Sequence, residues 1–294
     1  MANSRFTYVR DFELADKVLP NTWMLVRIDG KGFHKFSTTH NFTKPNDKRA
    51  LDLMDRAAKQ VMTEVADVIV AFGESDEYSF LVRKQSKLYN RRQSKILTLI
   101  VSLFTSAYVY HWRDFFPDLP LAYPPVFDGR LVPYPGVTEV RDYFKWRGVD
   151  THINNLYNTT FWALVQQGGQ STAEAHKTLS AKAFLNKYQV SSLQGTFSKD
   201  KHEILFSRFG VNYNGLPAQF RKGSTLIRTT SPAVEVEGDP NVASGIANLA
   251  ITDQQRGKKK EKVVPFDGTK GEIAVIYEDI VRDEFWEERP WLLA

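Results

Sequence analysis

The apolar residues in the first half of the chain switch between two spacings, and the order of the switches restricts the fold more than any other feature. Residues 23–29, Trp-Met-Leu-Val-Arg-Ile-Asp, form a short apolar run stopped by Gly30, the pattern of a buried strand. Leu51, Met54, Ala58, Val61, Met62 and Val65 then recur at helical spacing, so 47–66 reads as an amphipathic helix with Asn46 as its N-cap. Val68–Phe72 and Tyr78–Val82 are β-rich runs around Gly73-Glu-Ser-Asp-Glu77, a hairpin with an acidic tip. Asn90 reads as the cap of a second helix over 91–113, with Ile96, Ile100, Leu103 and Ala107 inward. After the proline-rich loop Pro117–Pro125, Val126–Tyr134, which carries Asp128-Gly129, reads as a strand or hairpin, and 138–167 as a helix ended by Gly168-Gly169. The first six elements, β, α, β, β, α, β, match the split βαβ, ferredoxin-like pattern. The fold class is α+β.

The later chain is less legible. Residues 174–190 read as helical, 192–222 as a polar, aromatic-containing region with no element assigned, and Thr225–Thr230 as a strand. Residues 236–271, with the basic run at 256–262, read as a loop; Ile273–Tyr277 and Ile280–Trp286 read as a strand and a short acidic helix. The expected division is a catalytic domain over 1–137 and a helical and irregular C-terminal region over 138–294.

In a split βαβ sheet the first strand and the hairpin are central neighbours, so Asp29, Asp76 and Glu77 converge at one edge. Carboxylates that close repel one another unless cations neutralise them. Hard oxygen donors suit Mg²⁺, and two such ions can activate a hydroxyl and stabilise a leaving phosphate. Each feature alone also fits an ordinary solvated turn; only the joint placement points to metal. Gly30-Lys31-Gly32-Phe33-His34 follows directly, and glycines there let backbone N–H groups approach phosphate oxygens, although a plain tight turn reads the same way. No Gly-x4-Gly-Lys-Ser/Thr is present, which excludes a P-loop nucleotidase. Arg91, Arg92 and Lys95 open a helix, where cations oppose the helix dipole; a bound polyphosphate would reverse that sign, and solvated surface charge is the alternative. His152, Asn155 and Thr159 share one helix face, and three asparagines in five positions favour a polar contact surface over core.

Composition narrows the class. The 294 residues include no cysteine, which excludes thiolate catalysis, cysteine metal sites and a disulfide scaffold. Lys and Arg number 39 against 34 acids, a net charge of +5 that suits a polyanionic partner. The N-terminus has no signal-peptide core, and no run approaches the ~18 apolar residues of a membrane span. The expected compartment is the cytoplasm, with the nucleus open.

Several motifs together resemble the tRNA-His guanylyltransferase family, fungal or animal type. They are Arg27-Ile-Asp-Gly-Lys-Gly-Phe-His-Lys-Phe36, Phe42-Thr-Lys-Pro-Asn-Asp47, Gly73-Glu-Ser-Asp-Glu-Tyr-Ser-Phe80, and Trp146 followed by His152-Ile-Asn-Asn-Leu-Tyr-Asn-Thr159. Phe6–Arg10 and Arg221–Thr225 also fit, so the resemblance spans nearly the whole chain. It implies a core like the palm of polymerases and nucleotide cyclases, and 3′-to-5′ addition of a guanosine to the 5′ end of tRNA-His. ATP adenylylates the 5′-phosphate, the 3′-hydroxyl of GTP displaces AMP, and pyrophosphate is removed last. The resemblance places two Mg²⁺ on Asp29, the Gly30 carbonyl and Asp76, with Glu77 beside them. Lys31, Gly32, Phe33, His34 and Ser75 would line the nucleotide, and Lys44, Asn46, Asp47, Arg92 and Lys95 would meet phosphates or the tRNA 5′ end. Arg27, His152, Asn155 and Lys187 would contact tRNA. It also implies a homo-oligomer, a tetramer. The rival readings are a nucleotide cyclase or generic palm polymerase, and a non-catalytic RNA-binding protein.

Overall fold

The computed structural model describes residues 4–180, 198–229 and 266–294. Six antiparallel strands form one sheet: β1 (Trp23–Gly30), β2 (Val68–Glu74), β3 (Glu77–Val82), β4 (Phe127–Tyr134), β5 (Ser224–Thr229) and β6 (Glu272–Ile276). Their order is β4-β1-β3-β2-β5-β6. The first four take the order expected of a split βαβ unit, with β1 and β3 at the centre. β5 and β6, from beyond residue 137, extend the same sheet, so it draws on both halves of the sequence.

Strands β1, β2 and β3 are apolar along nearly their whole length because both faces are covered. On one face, Met24, Val26, Ile28, Phe80 and Val82 pack against α2 (Lys48–Glu64) and α3 (Gln93–Tyr110) through Leu53, Ala57, Val61, Ile96, Ile100 and Phe104. On the other, Trp23, Leu25, Phe72, Leu81 and Ile227 pack against Val140, Tyr143 and Phe144 of a 30-residue helix, Val137–Gln166, and against the C-terminal Ile280, Phe285 and Trp286. With α1 (Phe33–Thr39) and α4 (Trp112–Phe115) counted, that long helix is α5. It spans about 45 Å at 1.5 Å per residue, so only its first half lies on the sheet. Its second half packs against α6 (Thr172–Ser180) and α7 (Ser198–Phe209) through Leu156, Leu164, Ala175 and Leu205. The chain closes with α8 (Ala218–Lys222) before β5 and α9 (Asp283–Glu287) after β6.

Three local expectations need correction. The N-cap of α2 is Asp47, whose carboxylate accepts the Arg49 backbone N–H at 3.0 Å; the neighbouring Asn46 side chain donates instead to Asn155 Oδ1 at 2.9 Å. α3 begins at Gln93, after Asn90 has taken a left-handed φ of 54°. Its cap is supplied from 78 residues away, by the Asp16 carboxylate accepting the Ser94 N–H at 3.0 Å. Inward on α3, Phe104 is fully buried where Leu103 was expected, and Leu103 packs at the margin. The region over 192–222, to which the sequence pattern assigns no element, contains α7 and α8; residues 181–197, with the second half of the expected 174–190 helix, and 230–265, with most of the expected 236–271 loop, lie outside the described residues. No helix among the described residues is long and apolar enough to cross a membrane.

Candidate active site

One backbone contact ties the hairpin tip to the end of β1: the Gly30 N–H donates to the Asp76 carbonyl at 3.0 Å. Gly30 has to be glycine, because a Cβ there would sit 2.4 Å from the Phe33 ring. That ring is buried against Phe36 and Phe127. The turn itself holds Ser75 at φ 49°, a left-handed conformation that non-glycine residues adopt at a cost of about 1–3 kcal/mol. Strain of that kind at a two-residue turn beside clustered carboxylates marks a site held in place by its surroundings.

The three expected carboxylates separate into two kinds. Strand alternation puts Asp29 and Glu77, which are register partners, on the face that α5 covers, in line with Leu25 and Leu81. Glu77 meets cations there: Arg147 donates to both its oxygens at 3.2 and 3.3 Å, and Arg27 Nε lies 3.8 Å away. Burial raises the Glu77 pKa, and those two arginines oppose the rise. Asp29 and Asp76 have no ion-pair partner among the described residues. Burial, reinforced by the charge of Asp29 and opposed by a Ser75 hydrogen bond, pushes the Asp76 carboxyl above its ordinary value. Two neighbouring acids without a basic partner favour a cation between them. Among the described residues no three His, Asp or Glu side chains enclose a metal by themselves. That donor set fits Mg²⁺, which takes one or two carboxylates and completes its shell with water and substrate phosphates.

Two clefts meet at Ser75 and Asp76. The larger, about 710 Å³, runs between the loop before α2 and the second half of α5, and is lined by His34, Lys44, Asp47, Tyr157, Phe161 and His176 among others. The smaller, about 360 Å³, is lined by Asp29, Asp55, Glu74, Glu77, Arg147 and Gln219. Asp55, Glu74 and Arg147 carry no obvious signal in the sequence. Asp55 is buried beneath the hairpin, accepts from Tyr78 Oη and Ser224 Oγ at 2.8 Å each and from Gln219 at 3.1 Å, and is pushed up to about 6 by burial. Glu74 is pushed up to about 7, mainly by burial and in part by the negative charge of Glu77. Arg147 sits 3.9 Å from Glu74 and binds Asp150 one turn along. The i, i+3 spacing of Arg147 and Asp150 is the one sequence signal that could have pointed to this ion pair.

The other expected residues divide. Phe33, His34, Lys44, Asn46, Asp47 and Ser75 line the larger cleft, although Phe33 is largely core. Lys44 Nζ donates to Ser37 Oγ at 2.8 Å, and burial lowers its pKa. Lys31 and Gly32 are exposed beside the Asp29 end and line neither cleft. The cations around the start of α3 are not gathered there either. Arg91 is buried and clamps the carbonyls of Val18, Leu19, Thr22, Lys84 and Ser86. Arg92 pairs with Asp16 and Glu13, and Lys95 is exposed near the Tyr89 ring. Asn155, expected on an RNA-facing surface, is buried: it bridges Asn46 to Tyr213 Oη at 3.1 Å, and so joins the two halves of the chain. His152 is half-buried near His202 and Tyr213, and burial and then His202 lower its pKa. Lys187 lies outside the described residues.

Known proteins resemble this chain in sequence and in fold. A family model described as tRNAHis guanylyltransferase matches residues 6–135, and one described as the Thg1 C-terminal domain matches residues 138–282. The tRNA(His) guanylyltransferase of Neurospora crassa is 49% identical over 100% of this chain and 97% of that protein. The crystal structure of the Saccharomyces cerevisiae tRNA(His) guanylyltransferase superposes with a TM-score of 0.69 at 48% identity, covering 76% of this chain and 93% of that one. A bacterial Thg1-like protein in complex with ATP shares the fold at a TM-score of 0.64 and 21% identity, over 97% of this chain and 96% of that one.

Proposed function

This chain belongs to the tRNA-His guanylyltransferase family, a family of nucleotidyltransferases, and we propose that its own reaction is the addition of one guanosine to the 5′ end of tRNA-His, with ATP and GTP as nucleotide substrates. The supporting observation is the pair Asp29 and Asp76, tied together through Gly30 and lacking a basic partner among the described residues, at the junction of two clefts. In the first step an oxygen of the tRNA 5′-monophosphate attacks the α-phosphorus of ATP and pyrophosphate leaves. In the second the 3′-hydroxyl of GTP attacks the activated 5′-phosphorus, AMP leaves, and the hydroxyl proton is lost. Hydrolysis then removes pyrophosphate from the new 5′-triphosphate.

Asp29, the Gly30 carbonyl and Asp76 are the residues that would hold two Mg²⁺. Bound there, Mg²⁺ lowers the pKa of the attacking hydroxyl and neutralises charge on the phosphates. Glu77, held by Arg147 and Arg27, keeps the hairpin tip oriented toward β1. Lys44 offers an ammonium to phosphate oxygens in the larger cleft. tRNA-His is the proposed macromolecular substrate, and a homo-oligomer, a tetramer, the proposed assembly.

The test is purified protein with 5′-monophosphorylated tRNA-His, ATP, labelled GTP and Mg²⁺. Label should appear at the RNA 5′ end. Asp29→Ala and Asp76→Ala should each abolish both steps while the fold survives. Near wild-type turnover in either variant overturns the assignment.

A further inference from the structure

Along α5, Arg147 grips Glu77 at the hairpin, and Tyr157 lies ten residues further on, about 15 Å along the axis. Tyr157 lines the same cleft as Ser75 and Asp76, so one nucleotide in that cleft can touch both. At the far point the larger cleft is lined by an ordered aromatic group. Tyr157 Oη and His176 Nδ1 are hydrogen-bonded at 2.8 Å. The His176 ring rests on Phe161, with centroids 4.5 Å apart, and Tyr157 lies nearly parallel to Phe161 at 6.4 Å. Ala175 and Leu179 make the deep core contacts of α6, while His176 is exposed and only rests its ring on Phe161. With Nδ1 engaged by Tyr157, its Nε2 edge has no hydrogen-bond partner among the described residues. The group is therefore an aromatic surface with one open polar edge, built from α5 and α6, with Lys201 Nζ 5.9 Å from the Tyr157 ring centroid, in the cleft that Ser75 and Asp76 also line.

We infer that Tyr157 and His176 form a stacking shelf for the purine base of a nucleotide whose phosphates sit at the Ser75–Asp76 turn. The inference rests on the guanylyl-transfer reading above. Stacking on an aromatic ring is tolerant of base identity because every base has a π-face. ATP and GTP are therefore both candidate occupants, and the experiment separates them.

Binding of ATP, of GTP and of inorganic tripolyphosphate, which has no base, is measured for the wild type and for Tyr157→Ala, His176→Ala and His176→Phe. ATP use is also followed on 5′-monophosphorylated tRNA-His. GTP use is followed on 5′-triphosphorylated tRNA-His, which carries its own pyrophosphate leaving group and needs no activation. Both alanine variants should weaken at least one nucleotide by about tenfold, within the 1–3 kcal/mol range of one lost base stack. Tripolyphosphate binding should be unchanged, and His176→Phe should regain most of the loss. Loss confined to the ATP arm identifies the activating nucleotide as occupant, and loss confined to the GTP arm the transferred one. Unchanged affinity for both nucleotides, or a parallel loss of tripolyphosphate, overturns the shelf. Should Tyr157→Ala fail to fold, His176→Ala at its exposed position still decides. A wild type that transfers no label refutes the guanylyl-transfer reading instead, and the binding data then judge the shelf separately.

Discussion

Removing Arg147 tests whether the hairpin is held by a buried ion pair. Its side chain is 7% exposed, donates to both oxygens of Glu77, binds Asp150, and lies 3.9 Å from Glu74. Its guanidinium also sits 3.6 Å from the Trp146 ring centroid. Arg147→Met keeps most of the aliphatic volume and removes the charge. Three carboxylates then face one another with only Arg27, 3.8 Å from Glu77, left as a cation. Breaking a buried pair by removing one partner costs about 3–5 kcal/mol, and the lost cation–π contact adds about 0.5–1 kcal/mol. For a chain of this size that is a drop in Tm on the order of 10 °C. The loss should depend on pH. Glu74 is already pushed up to about 7 with Arg147 present, and without it the acids protonate at still higher pH. At pH 5.5 Glu74 is neutral in both proteins and the deficit shrinks; at pH 8 the clustered acids ionise and it is full. Thermal denaturation at both pH values without Mg²⁺ measures this, and Arg147→Lys should fall between. A variant as stable as wild type at pH 8, or one with equal loss at both pH values, refutes the argument.

Glu74→Gln should be more stable than wild type by about 1–3 kcal/mol at pH 8, a gain that disappears toward pH 4.5. Between 4.5 and about 7 the folded state keeps a proton that the unfolded state releases, so stability falls as pH rises through that window. Denaturant titrations at pH 4.5 and 8 check it, and a pH-independent difference counts against it. Asp47→Ala should lower stability by about 1–2 kcal/mol through loss of the α2 cap. Asp47→Ser should retain much of it, and equal loss in both variants would show that the capping hydrogen bond is not what Asp47 contributes.

The strands and helices of the first half were legible because their apolar residues keep a period. Trp23–Ile28 and Tyr78–Val82 have apolar residues on both faces and are buried on both, and Leu53 to Met62 forms one helical stripe. Spacing of that kind is local information. Asp29 and Asp76 were legible for a related reason: each ends or turns an apolar strand, and the split βαβ order makes those strands neighbours. What local pattern does not encode is the partner of a polar group. Glu77 looked the same as Asp29 and Asp76 in the sequence, yet Arg147, 70 residues away, makes it half of an ion pair. Arg91, Arg92 and Lys95 formed one basic cluster in the sequence, but Arg91 holds backbone carbonyls, Arg92 pairs with Asp16 and Glu13, and only Lys95 stays exposed. Asn155 read as contact surface and became a buried bridge between the halves. The sequence by itself determined the secondary structure of the sheet layer and the meeting of two carboxylates, because apolar period and chain connectivity suffice for both. Tertiary structure alone decided which charges are compensated, because a buried charge is satisfied by whichever opposite group the packed elements bring within about 4 Å, whatever its distance along the chain.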